Sequence, residues 1–134
     1  SPRIDLGQLL YRYGECVGIM YQLADDFVDL LKSLLTGTPI GDLSLGIPTL
    51  PLTRLARLPG YQPWVQAFLA DKDAAPLIAN GQSEDAHHVY EELLEPWRER
   101  ARGYLQELPG SPYRDLLELV PSAFATELLQ ADIN

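Results

Sequence analysis

The stretch LLYRYGECVGIMYQLADDFVDLLKSL, from Leu9 to Leu34, decides the fold. It contains no proline. At about 100° per residue, Leu9, Tyr13, Cys16, Val17, Met20, Leu23, Ala24, Phe27, Val28, Leu31 and Leu34 fall on one broad face. The spacing predicts a helix from about Ile4 to about Leu35 whose broad face is core. Ser1 is placed to cap it, with Pro2 in the first turn, where a missing N–H costs nothing.

The opposite side of that helix is narrow. Gly7, Tyr11, Gly14, Gly18, Gln22, Asp25 and Asp29 lie along one line, with Tyr21 and Asp26 flanking it, because spacings of three and four bring side chains together over successive turns. An interior glycine costs a helix roughly 1 kcal/mol relative to alanine, and aspartate is also a poor helix former. Like charges so close repel, and they sit toward the negative end of the helix dipole. A bound cation would reverse each electrostatic penalty. Carboxylate oxygens are hard ligands suited to Mg²⁺, which takes one or two of them and recruits substrate phosphates. From the residues alone, the turn is either such a site or a solvated acidic face, with Lys32 placed to pair with Asp29.

Outward from this helix, the chain from Gly37 to Gly60 is punctuated by Pro39, Pro48, Pro51 and Pro59 and by Gly41 and Gly46, the signature of a loop. Pro51 suits the first turn of a short helix running to about Leu58. Short helices are expected from Gln62 to about Asp71 and around Ala74 to Ala79. Ser83 opens a second long helix, with Glu84 and Asp85 in its first turn, reaching about Leu108 and kinked before Pro96. A last helix is expected from Tyr113 to about Gln130. No strand-like alternation persists, so the class is all-α and residues 1–134 form one helical domain.

Composition narrows the partners. The net charge of −9, with only ten Lys and Arg, disfavours nucleic acid and anionic membranes, so a phosphorylated substrate would need a bridging cation. Cys16 is alone, which excludes an internal disulfide and fits a buried thiol in a reducing compartment. No segment approaches about 18 uninterrupted apolar residues, and the first five residues show no signal-peptide core. A cytoplasmic protein without a membrane span is expected. His87 and His88 point about 100° apart on a helix and cannot share a metal. Trp64 and Trp97 read as core or interface area, and Glu91, Glu92, Glu95 and Glu99 as a solvated face beside Arg98, Arg100 and Arg102.

The run Tyr21-Gln22-Leu23-Ala24-Asp25-Asp26-Phe27-Val28-Asp29 resembles the aromatic-Gln-x-x-Asp-Asp-x-x-Asp segment of the trans-isoprenyl diphosphate synthases, or polyprenyl synthetases. Gly14 and Gly18 precede it at the family's spacing. Gly37-Thr38-Pro39-Ile40-Gly41-Asp42-Leu43 and Gly46-Ile47-Pro48-Thr49-Leu50-Pro51-Leu52 are similar to the Gly-Lys-Pro-x-x-Asp-Leu and Gly-Lys-x-Thr-Leu-Pro stretches that follow it. The tail, with Leu105, Leu108-Pro109, Ser111, Arg114 and Leu116-Leu117, resembles the closing helices. The likeness covers nearly the whole chain, and its specific part is Gly14 to Leu52.

The resemblance implies the C-terminal half of an isoprenoid synthase helical bundle. The family reaction condenses isopentenyl diphosphate with an allylic diphosphate, on Mg²⁺ ions held between two aspartate-rich motifs. It implies Asp25, Asp26 and Asp29 as metal residues and places Gln22 and Tyr21 against the reacting allyl group. Two departures stand out. Thr38 and Ile47 replace the family's loop lysines, and the chain has no counterpart of the first aspartate-rich motif. The expectation is therefore part of a prenyltransferase, inactive alone, that forms a homo-oligomer or meets a partner chain supplying the other half. The alternative is a non-catalytic accessory or interaction subunit.

Overall fold

A computed structural model describes residues 5–125. The described residues are all-α: six helices and one 3₁₀ turn, with no strand among them. Helix α1 spans Leu6–Thr36. Its cap is Asp5, whose carboxylate accepts the N–H of Gln8 at 2.8 Å, so the first turn begins later than the composition around Ser1 and Pro2 indicates. Those two residues lie outside the described ones. At the other end Gly37 adopts a left-handed conformation and donates its N–H to the Ser33 carbonyl at 3.0 Å, closing the helix.

The expected core face of α1 is the observed one. Leu9, Tyr13, Cys16, Met20, Leu23, Ala24, Phe27, Val28 and Leu31 are buried, and Val17 and Leu34 pack against them half-buried. Helix α5, Ser83–Gln106, covers this face. Phe27 stacks on Tyr90, with ring centroids 4.4 Å apart at 16°, and meets the edge of His87 at 5.2 Å. Cys16, about three turns upstream of Phe27, lies near enough to Arg100 to feel its charge, while Phe27 meets Tyr90, so the two helices run antiparallel. Helix α6, Pro112–Ala125, closes the far end, where the Tyr13 hydroxyl donates to the Leu117 carbonyl. The part of the last helix expected over 126–130 lies outside the described residues.

Between α1 and α5 the chain makes a 3₁₀ turn at Gly41–Leu43 and three short helices: α2 (Leu50–Leu55), α3 (Gln62–Asp71) and α4 (Ala75–Asn80). Each has proline in its first turn, where the ring pre-sets φ without losing a bond. Helix α2 stops at Leu55 rather than Leu58, and the next residues turn tightly toward Tyr61. Tyr61 is buried and ties this loop to α5: its hydroxyl donates to Asp85 at 2.6 Å and accepts the N–H of Gln82 at 2.9 Å. Burial pushes its phenol up to about 12, so it remains a neutral donor. Gln82, not Ser83, occupies the cap position of α5.

Helix α5 is uninterrupted through Pro96, whose ring is solvent-exposed. A proline there removes one helical bond and crowds the preceding turn at about 3 kcal/mol, partly offset because it also restrains the unfolded chain. Pro96→Ala is therefore expected to stabilise the protein by about 1–2 kcal/mol. A variant that melts below the parent would contradict this.

Candidate functional site

The narrow face of α1 is open. Carbon added at Gly14 or Gly18 would meet nothing within 4 Å, and Tyr11 is 69% exposed. At its C-terminal end Asp25 is exposed, while Asp26 and Asp29 are half-buried. The difference arises because the following loop folds back over the last two. Gly41 has φ of +59°, and a Cβ built on it would lie 2.0 Å from Oδ2 of Asp29. Only a residue without a side chain admits both the turn and the carboxylate. From there the backbone of Asp42 comes near enough to the Asp29 carboxylate for its N–H to favour the charged form.

A buried hydroxyl sets this return. Ser33 is the buried polar residue of α1; its Oγ donates to the Asp29 carbonyl at 2.7 Å and accepts the N–H of Ile40 at 2.9 Å. The loop carries Asp42 into the cluster, so Asp26, Asp29 and Asp42 share the lining of a cavity of about 10 Å³ with Leu30, Leu43, Ile47, Thr49 and Leu52. That lining contains no basic residue. Ile47, 46% exposed, is an apolar member of that lining. Lys32 acts on Asp29 only as the smallest of the influences on its charge.

The carboxylates are strained electrostatically. Burial raises Asp29 above the ordinary value of 3.8, Asp25 and Asp42 push the same way, and the Asp42 N–H and Lys32 oppose them. Burial also raises Asp26, against a hydrogen bond donated by Gln22 Nε2 at 3.3 Å, with Asp42, Asp25 and Asp29 adding repulsion. Both groups hold their protons more tightly folded than unfolded, so stability falls with rising pH between 3.8 and the raised values. Their contribution is complete below that window and lost above it. The double variant Asp26→Asn/Asp29→Asn keeps the acceptors and removes the charge, and is expected to melt above the parent at pH 7, with the margin shrinking toward pH 3. Thermal melts across that range check it; an equal margin at both ends would refute it.

All-carboxylate chemistry fits a hard divalent cation. Among the described residues, however, no three His, Cys, Asp or Glu side chains converge to enclose a metal ion. The described residues thus form no closed protein cage for a metal. The cavity has room for about one water-sized sphere, so a hydrated ion does not fit inside it. Gln22 is exposed and leans on Asp26, and Tyr21 lies exposed on the same side of α1.

The residues set aside on sequence grounds sit elsewhere. His88 is exposed and pairs with Glu92 at 3.0 Å, and exposed His87 rests on Phe27. Arg98 meets Glu95 at 2.6 Å and Glu91 at 3.3 Å, and Arg102 meets Glu99 at 2.6 Å, along the outer face of α5. Trp64 and Trp97 pack half-buried on the core, Trp97 beneath the guanidinium of Arg100. Cys16 is buried and free. Among the described residues no helix is long and apolar enough to cross a membrane. The chain matches no family profile, no curated protein and no solved structure.

Proposed function

We propose that this chain is the half of a trans-isoprenyl diphosphate synthase that carries the second aspartate-rich turn, Asp25, Asp26 and Asp29, and that it grips a Mg²⁺–diphosphate group. The observation that supports this most is the glycine turn after α1, which folds back onto Asp29 and brings a fourth carboxylate, Asp42, into the cluster without a compensating lysine or arginine. Four acids, with Lys32 acting on Asp29 only weakly, call for an external cation. Burial and mutual repulsion raise two of them, which is the state a cation relieves.

In this reading Mg²⁺, when bound, neutralises charge that develops on a departing diphosphate. Exposed Asp25 and half-buried Asp29 would offer the oxygens. Asp26, held by Gln22, orients the water around the ion. Gln22 and Tyr21 face the allylic chain, which runs along the open strip beside Gly18 and Gly14. The opposing aspartates and the site for isopentenyl diphosphate come from outside these 134 residues, which alone do not transfer prenyl groups. A free buried Cys16 accords with a cytoplasmic setting.

Titration of Mg²⁺ in the presence of inorganic diphosphate, followed by calorimetry, tests the site. Asp25→Ala is expected to weaken binding by about 10-fold or more. Equal affinity in parent and variant sinks the assignment. A second reading, a non-catalytic accessory subunit, is favoured by Ile47 and Thr38 standing in the loop in place of lysines. It predicts cation binding without a gain from diphosphate, which the same titration with and without diphosphate separates.

A further inference from the structure

Asn80 and Gly81 join helix α4 to the cap of α5, and each is held by the carbonyl of an earlier residue of α4. The Asn80 Nδ2 donates to the Pro76 carbonyl at 2.8 Å, and the Gly81 N–H donates to the Leu77 carbonyl at 2.7 Å. Gly81 is extended, with φ of −68° and ψ of 147°, so its conformation does not call for glycine. Space does: a Cβ there would lie 2.7 Å from the Leu77 carbonyl oxygen and 2.9 Å from Cδ2 of Leu34 on α1. The fold thus requires glycine after Asn80, and glycine is the residue that shields its own amide nitrogen least. Asn80 is exposed, and α4 has only six residues, with Leu77 as its buried anchor. A helix so short is marginal on its own and opens readily.

We propose that Asn80 is a site of spontaneous covalent modification, deamidation through a cyclic imide, gated by opening of the end of α4. When the two hydrogen bonds break, the Gly81 nitrogen gives its proton to water and attacks Cγ of Asn80. A C–N bond closes a five-membered ring, and Nδ2 takes up a proton and leaves as ammonia. Water then opens the imide at either carbonyl. The product is an aspartate or an isoaspartyl link, in which the main chain runs through the side chain and is one carbon longer. In the closed structure both reactants are held apart. The nucleophile's proton is committed to Leu77, and the helical backbone of Asn80 aims the Gly81 N–H back along α4 rather than leaving it free to turn toward Cγ. Either product puts oxygen in place of the Nδ2 donor facing the Pro76 carbonyl, and negative charge at the carbonyl end of a helix is unfavourable. Modification therefore favours the open state that permits it and loosens Gly81 from Leu34 of α1.

Incubation of the folded chain in mildly alkaline buffer, followed by peptide mass spectrometry, tests this. Asn80 is expected to gain about 1 Da, at a rate about 10- to 100-fold below that of the urea-unfolded chain, in which nothing holds the two amides. Asn80→Gln, which would have to close a larger ring, is expected to stay unmodified at that position. Asp73 supports the start of α4, its carboxylate accepting the Ala75 N–H at 3.1 Å. Asp73→Ala is therefore expected to accelerate both deamidation and amide hydrogen exchange at Gly81 by about 5-fold, while amides in the middle of α1 and α5 keep their protection and certify the fold. No mass gain at Asn80 in the folded chain over about ten half-lives of the unfolded one overturns the site. Equal rates in the folded and unfolded chains overturn the gate. So does an Asp73→Ala variant in which deamidation and Gly81 exchange fail to rise together, and one in which neither rises overturns the placing of the gate in α4.

Discussion

Phe27→Ala is expected to cost about 3–5 kcal/mol, the largest effect of any single truncation in α1. The ring is 0% exposed, stacks on Tyr90 and meets His87, so its removal empties the centre of the α1–α5 contact rather than an edge. Tyr90 is itself fully buried and cannot follow the cavity without leaving its own packing. Net stability of domains this size is about 5–15 kcal/mol, so the variant sits near the limit of folding. Urea denaturation followed by circular dichroism measures it through the midpoint at constant slope. A loss under about 1 kcal/mol would mean that the site collapses freely and that the stack is not central.

The same residue explains why fold and candidate site share one turn. Phe27 and Val28 point into the core while Asp25, Asp26 and Asp29 lie on the other side, so the packing of one face determines the rotation of the other. A chain with a looser core would hold its acids in an ill-defined fan. For that reason, any measurement on the carboxylates needs the fold monitored beside it.

The α1 core face was legible because a long uninterrupted amphipathic pattern leaves one orientation that buries the apolar stripe. Leu30 and Ser33 were not, although both are buried. They lie on the flank of that stripe, and what covers them is the returning loop and α2, whose path depends on tertiary contacts rather than on periodicity. The acidic turn itself was readable from spacing. Asp42 was not, because its approach is made by Gly41 in a left-handed conformation and by the Ser33 hydroxyl, and a loop glycine in a sequence does not say which carboxylate it makes room for. The Asp5 cap was masked by an equally good start at Ser1 and Pro2. The aspartate three residues before Gln8 was the available signal.

Gly41→Ala separates the two reasons for that glycine. The left-handed conformation alone costs a residue with a Cβ about 1–2 kcal/mol. The new carbon would also overlap the Asp29 carboxylate, so either the loop or the side chain must move. Together these predict a loss of about 2–4 kcal/mol. In a background of Asp29→Ala the overlap is gone and only the conformational part remains, so the same substitution is expected to cost about 1–2 kcal/mol there. The difference is a coupling energy, read from a double-mutant cycle of denaturation midpoints, and it measures the contact between loop and carboxylate directly. Additive effects would show that Gly41 serves only its own backbone and that the loop does not press on Asp29. A positive coupling joined to weaker Mg²⁺–diphosphate binding in Gly41→Ala would place the loop within the cation site, because the substitution adds no charge and removes no ligand.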